Sequence, residues 1–188
     1  MSEGAIQRRI VGISGNLSRP SRTRVLVEAI LAAIGASGLG ATACYDLVDA
    51  GPGLGRAVSR NEPPEDLERV WREIETCDAL VVGSPVYKGA YGGLFKHLFD
   101  LLDRQALVGR PVILSATGKA DQHALMIEHA MRPLFGFFGA LTLPTGVYAT
   151  DSDFVSPSGL TDAALGRVAA QADHLERYWG HDERPIAR

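Results

Sequence analysis

The sequence predicts an α/β fold, a parallel sheet covered by helices on both faces. Three observations carry this. Short apolar runs bounded by turn residues recur along the chain, the mark of fully buried strands. Between them the apolar residues fall at helical spacing. The clearest instance is residues 78–103, DALVVGSPVYKGAYGGLFKHLFDLLD. There Ala79, Leu80, Val81 and Val82 run into Gly83, Ser84 and Pro85, and Leu94, Phe95, Leu98, Phe99 and Leu102 follow at helical period. Strand, loop, helix is half of a βαβ unit. Strands that alternate with helices imply right-handed crossovers and a parallel sheet.

Length and charge narrow the class. The 188 residues suit one domain with a sizeable core. Residues 1–8 and 180–188 are expected to be loose termini. A net charge of −3 implies no general affinity for nucleic acid. Cys44 and Cys77 have neither CxxC nor metal spacing, and are expected to be reduced packing residues in a cytoplasmic protein. The N-terminus lacks an apolar signal core. The apolar stretch 133–149 is interrupted by Gly136, Gly139, Pro144 and Gly146. It reads as a helix end followed by a strand, not as a membrane span.

Taken in order, Ile10 to Ile13 form the first strand. A hydroxyl-rich loop follows, SGNLSRPSRT, and then a helix with Val25, Leu26, Ala29, Ile30, Ala33 and Ile34 inward. Such a loop entering a helix N-terminus attracts anions, because free backbone N–H groups and the helix dipole both favour negative charge. Arg22 can add a charge-assisted hydrogen bond. The loop has neither the Walker pattern nor GxGxxG, so one phosphate suits it better than three. Plain capping by Ser18 or Ser21 is the competing account. Residues 41–45 form the second strand. Residues 49–63 make a long glycine-containing loop, and residues 64–76 a helix with Leu67, Val70, Trp71 and Ile74 inward.

The third strand ends in SPVYKGAYGG. Glycines there allow close backbone approach to a ligand. Tyr87 and Tyr91 offer flat faces with polar tips, and Pro85 stiffens the loop. A flat heteroaromatic ligand suits that surface; tyrosines packed on an ordinary turn are the alternative. The fourth strand, residues 111–116, leads to Thr117, Gly118 and Lys119 on the same rim. A helix over 122–138, a fifth strand over 141–148 with Pro144 pointing to an edge position, and a closing helix over 160–178 complete the chain.

GSPVYKGAY followed by GLFKHLFDLLD resembles the NAD(P)H-dependent FMN reductases of the flavodoxin-like superfamily, over residues 10–154. It is most similar to the flavin reductases that serve two-component alkanesulfonate and methanesulfonate monooxygenases. The resemblance implies a flavodoxin-like three-layer sandwich with a five-stranded parallel sheet in the order 2-1-3-4-5. It implies hydride transfer from NAD(P)H to FMN, with the reduced flavin passed to a flavin-dependent monooxygenase. The implied phosphate-binding set is Ser14, Asn16, Ser21, Arg22 and Thr23, with Asn16 where a serine often stands. Pro85, Val86, Tyr87, Lys88 and Tyr91 border the ring, and Thr117 and Gly118 approach its polar edge. Lys119 replaces a second glycine and reads as a solvated side chain. The flavin carries the chemistry, so no acid, base, nucleophile or metal ligand is assigned. A protein with tightly bound FMN, acting as a quinone or azo reductase or as an electron carrier, is the alternative.

Two expectations concern assembly. Phe95, Phe99, Phe135, Phe137 and Phe138 seem more aromatic surface than one sheet face covers, and with the resemblance they imply a homo-oligomer, a dimer or tetramer. Pro133 lies inside the helix 122–138 and has no N–H for the carbonyl of His129. The helix must kink there or form a π-bulge. Relatives of the resembled group have a π-helical insertion at the subunit interface, often with tyrosine where this chain has His129.

Overall fold

The computed structural model describes residues 8–182. The expected loose ends at 1–7 and 183–188 lie outside the described residues. Arg8 and Trp179 are seated on each other, with the Arg8 guanidinium 4.3 Å from the centre of the Trp179 ring.

Six strands make one parallel sheet. β1 (Arg9–Ser14), β2 (Ala41–Asp46), β3 (Ala79–Pro85) and β4 (Pro111–Thr117) stand in the order β2-β1-β3-β4. β5 (Leu141–Thr142) and β6 (Val147–Ala149) share the fifth position, each paired with β4. This is the expected 2-1-3-4-5 order. β3 and β4 are apolar on both faces because helices cover both. On one face lie α2 (Glu65–Thr76), α3 (Gly93–Asp100) and α4 (Arg132–Phe137), which bury Trp71, Phe95, Phe99 and Phe135 completely. On the other lie α1 (Arg22–Ala36) and α5 (Asp162–Asp182). α5 thus runs past the expected end at residue 178. α1 sits close to the sheet where strands lack side chains. A Cβ on Gly83 would stand 2.5 Å from Val27 Cγ2, and one on Gly12 2.7 Å from Val27 Cγ1.

Helix faces followed the sequence where one neighbour covers the helix. α2 buries Leu67, Val70, Trp71 and Ile74 as read. The Trp71 indole N–H donates to the Leu98 carbonyl at 3.0 Å, so its polar edge is satisfied. α1 differs. It buries Thr23, Leu26, Val27, Ile30, Leu31 and Ile34, while Val25, Ala29 and Ala33 are half-buried. The apolar stripe is wider than predicted because α5 covers α1 from the side.

The continuous fifth strand and the single helix over 122–138 change, and the expected π-bulge is met. The fifth strand is not continuous over 141–148, for it breaks around Pro144, which cannot donate to a ladder. The Arg132 guanidinium donates to Thr142 Oγ1 (2.7 Å) and to the carbonyls of Leu143 (3.0 Å) and Pro144 (3.4 Å). It therefore satisfies acceptors that the ladder leaves behind. The segment 122–138 is a 3₁₀ turn (Asp121–His123), a π-helix (Ile127–Met131) and α4. The Arg132 N–H donates to the Ile127 carbonyl, five residues back, and Pro133 follows at once. Of the five phenylalanines, Phe137 alone is left exposed. Phe95, Phe99 and Phe135 stack at 5.0 Å centroid spacings within the core, Phe138 is buried, and Phe137 is 73% exposed. The loop 49–63 is anchored. It contains a 3₁₀ turn (Leu54–Arg56) with Leu54 buried, and His97 Nε2 lies 2.7 Å from the Ala57 carbonyl.

A small antiparallel hairpin, β7 (Phe154–Ser156) with β8 (Gly159–Leu160), was not foreseen. No helix among the described residues is long and apolar enough to cross a membrane.

Candidate functional site

The ends of β1, β3, β4 and β6 meet at one rim of the sheet, where the strand order reverses. Open α/β sheets bind ligands at that point. The loop 15–21 after β1 is held from below by Asp46, whose side chain is fully buried at the end of β2. Asp46 Oδ2 accepts from Asn16 Nδ2 (3.0 Å), Arg19 Nε (2.8 Å) and Arg24 Nη1 (2.8 Å). Its Oδ1 accepts from Arg19 Nη2 (2.8 Å) and from the N–H groups of Val48 (3.0 Å) and Asp49 (3.1 Å). Burial opposes the charge, but hydrogen bonds from Arg19, Asn16 and Arg24 overrule it and hold the carboxyl well below the usual carboxylate range.

This network uses two of the sequence-predicted residues. Asn16 also accepts from Ser14 Oγ at 2.6 Å and donates to the Ser18 carbonyl at 3.1 Å. Ser14 and Asn16 are therefore buried in this network and do not line the rim cavity. Ser21 caps α1, its Oγ accepting from the Arg24 N–H at 3.3 Å. The hydroxyls of Thr23 and Thr117 lie 2.6 Å apart and buried, joining the start of α1 to the end of β4.

The loop after β3 is a small built turn. Val86 N–H donates to the Thr117 carbonyl at 2.8 Å, and the Tyr87 N–H donates to the Ala90 carbonyl at 2.8 Å. Lys88 (φ 51°) and Gly89 (φ 86°) stand between as a two-residue turn with both φ positive, the type I′ pattern. The turn presents Tyr87 half-exposed. Across from it the Gly118 N–H donates to the Ala149 carbonyl at 3.0 Å. A Cβ on Gly118 would stand 2.1 Å from the Tyr148 hydroxyl, so glycine is required for this approach.

These loops enclose a cavity of about 700 Å³. It brings together Arg22, Pro85, Val86, Tyr87, Lys88, Thr117 and Gly118 from the sequence reading. Tyr91 is not among them. It packs against Phe95, centroids 5.9 Å apart, and borders a second groove with His129, Pro133 and Phe137. The cavity also takes Lys119, His123, Ala149, Thr150, Asp151 and Phe154, of which sequence reasoning singled out only Lys119 as a rim residue. Asp151 and Phe154 follow β6, and the rule that ligands gather at strand carboxyl ends would have found them had the fifth strand been ended at Ala149. Arg22 Nη1 meets Asp151 Oδ1 at 2.5 Å, and its guanidinium carbon lies 5.4 Å from the Phe154 ring centre.

Arg22, Lys88 and Lys119 set three cations against the one carboxylate of Asp151 in this lining. With a flat tyrosine face and a helix N-terminus, the cavity suits a flat, anionic ligand. The thiols stand apart from it. Burial pushes Cys44 up to about 12 and Cys77 up to about 11, as inert packing residues.

Sheet order and the placement of this cavity define a flavodoxin-like α/β protein. Within that class, the chain belongs to the NADPH-dependent FMN reductase family, whose family model matches residues 8–154. It is 44% identical over 172 residues to an FMN reductase (NADPH) of Pseudomonas aeruginosa, covering 92% of each chain. It is 42% identical to the NADH-dependent FMN reductase SfnF of Pseudomonas fluorescens, covering 96% of each. Among solved structures, the apo form of an NADH:FMN oxidoreductase (EMOB) superposes with a TM-score of 0.81 at 28% identity, over 92% of this chain and 90% of that one.

Proposed function

We propose that the protein binds FMN in the rim cavity and reduces it with NAD(P)H. The observation that carries this reading is the cavity's lining: Arg22, the first residue of α1, together with the Tyr87 face and Gly118. Its volume of about 700 Å³ lies in the range of small-ligand sites. The residues present fit FMN. Arg22 and the first-turn amides of α1 receive the phosphate. Ser21 shapes that turn, and the Thr23–Thr117 hydroxyl pair fixes its distance from β4. Ser14 and Asn16 hold the loop from behind. Pro85, Val86, Tyr87 and Lys88 border the ring, with Thr117 and Gly118 at its polar edge and Tyr91 bracing α3 through Phe95. Bound flavin supplies the capacity to accept hydride from a reduced nicotinamide. The protein's groups bind, orient and exclude water.

The reduced flavin then leaves for a flavin-dependent monooxygenase acting on a sulfonate. Two facts support this: the relatives named SfnF, and exposed walls such as Tyr87, Lys88 and Asp151, which suit a ligand that exchanges. The chain works as one domain, in the cytoplasm, where reduced nicotinamide is supplied. It pairs with further copies of itself, as a dimer or tetramer. Exposed Phe137 beside the groove of Tyr91, His129 and Pro133 supports this assembly. The π-helix that carries His129 then links assembly to flavin exchange.

The test is a pair of titrations. Losing a charge-assisted hydrogen bond costs about 1.5–3 kcal/mol, roughly 10- to 150-fold in affinity. Arg22→Ala is expected to weaken FMN by that factor and to leave riboflavin nearly unchanged. Equal losses for both flavins contradict the placement of the phosphate. NADH or NADPH oxidation that does not respond to added FMN contradicts the activity.

A further inference from the structure

We propose that Asp151 sets how strongly the site prefers a phosphorylated flavin, by holding Arg22 until a phosphate displaces it. This rests on the reading that Arg22 receives the FMN phosphate. The ion pair joins two elements far apart in sequence, at 2.5 Å, with the two side chains 48% and 59% exposed. It spans the cavity mouth from the first residue of α1 to the turn after β6.

Asp151 is not needed to build that turn. Asp153 does so, accepting from the Thr150 N–H at 2.8 Å and donating its own N–H to the Thr150 carbonyl at 3.0 Å. Asp153 is itself tied to Arg167 at 2.7 Å. The Asp151 carboxylate is thus directed at Arg22 while its neighbour does the structural work. The other arginines of this region are committed elsewhere. Arg19 and Arg24 are paired with Asp46 and Asp49 on the far side of the loop. Arg22 is therefore the guanidinium of α1 that lines the cavity.

Carboxylate and phosphate use the same donors on a guanidinium. A phosphate entering the cavity must take those donors from Asp151, and a leaving phosphate is replaced by it. The Phe154 ring, 5.4 Å from the guanidinium carbon, keeps the cation in place during the exchange. An exposed pair is weak, so Asp151 trims the affinity without blocking it. For a flavin that must depart after reduction, that trimming favours release.

The experiment is a double-mutant cycle on the full chain, reading dissociation constants for FMN and riboflavin by flavin fluorescence. Asp151→Asn is expected to tighten FMN about 2- to 5-fold, the scale of a lost exposed ion pair, and to slow FMN dissociation in stopped flow by a similar factor. Riboflavin binding stays unchanged. Asp151→Ser is expected to act in the same direction, with both variants matching the parent's circular dichroism. In an Arg22→Ala background the gain is expected to vanish. An unchanged or lower FMN-to-riboflavin preference in Asp151→Asn overturns the proposal. So does an undiminished gain in the Arg22→Ala background, which means simple repulsion between Asp151 and the phosphate. The two readings fail separately. If Arg22→Ala weakens both flavins equally, the phosphate placement falls. If it weakens FMN alone while Asp151→Asn has no effect, only the role of Asp151 falls.

Discussion

Two loops meet at Arg22, one leading into α1 and one following β6, and both are held by arginine–carboxylate pairs. Residues 15–21 rest on Asp46, whose side chain is fully buried and accepts six hydrogen bonds from side chains and backbone. Residues 150–154 are held by pairs at the surface, Arg22 with Asp151 and Arg167 with Asp153. The chemistry is the same and the surroundings differ. Removing a buried acceptor leaves its donors unsatisfied, which costs about 1–3 kcal/mol. An exposed pair contributes about 0.2–1 kcal/mol. The loop that leads into Arg22 is thus fixed before any ligand arrives, and the turn after β6, the adjustable wall of the cavity, is free to shift.

The largest effect is expected at Asp46. Asp46→Ala leaves Asn16 and the Val48 and Asp49 N–H groups without their acceptor, while Arg19 and Arg24 keep Asp49, and it is expected to lower the unfolding free energy by about 1–3 kcal/mol in urea. A loss below about 1 kcal/mol would put Asp46 in the class of surface pairs and erase the contrast between the loops. Acid sharpens the same point. The folded-state pKa of Asp46 is depressed below its ordinary 3.8. Its stabilisation is therefore complete above that value and is lost as pH falls toward the folded-state value. Urea midpoints measured downward from pH 5 should fall more steeply for the parent than for Asp46→Asn.

The next effect is expected at Gly118, where the adjustable wall meets β4. A Cβ there displaces the Tyr148 hydroxyl from its 2.8 Å bond to the Ala120 carbonyl. Gly118→Ala is expected to cost about 1–3 kcal/mol as overpacking and to weaken FMN and riboflavin alike, since the proposed pose sets Gly118 against the ring that both flavins share. Selective loss of FMN would place the phosphate, not the ring, against Gly118. The smallest effect is expected at Arg167→Ala, about 0.2–1 kcal/mol. It should shrink further in 1 M salt, because exposed charges are screened. A salt-independent loss would mean that this turn, too, is held by buried charge.

The strands were legible because their signal is local. Ala79 to Val82 is apolar without alternation, and such a run has to be covered on both faces. The interruption near Pro133 was legible for the same reason, since a missing N–H is visible in one residue. The Asp46 hub was not. Its partners Asn16, Arg19 and Arg24 lie on another element, and nothing in the residues around Asp46 marks it as buried. Asn16 was assigned to the ligand because its own loop is all that the sequence displays. The aromatic residues misled in the opposite direction. Phe95, Phe99 and Phe135 look excessive when counted along two helices, yet they stack on one another in the core. Tyr91 belongs by sequence to the PVYKGAY loop, but the turn at Lys88 and Gly89 reverses the chain before Tyr91 is reached.

The break at Pro144 bears on how the folded chain behaves when crowded. A sheet edge with a long row of open backbone donors and acceptors is a template for strands from other molecules, and so for aggregation. At this edge β5 pairs over two residues and β6 over three, with Pro144 between them. An incoming strand would find no N–H at Pro144. It would also find the carbonyls of Leu143 and Pro144 already taken by Arg132. Arg132→Ala is therefore expected to raise light scattering of concentrated, folded protein on prolonged incubation. The guanidinium that mends a gap in the ladder also denies that edge to a neighbouring chain.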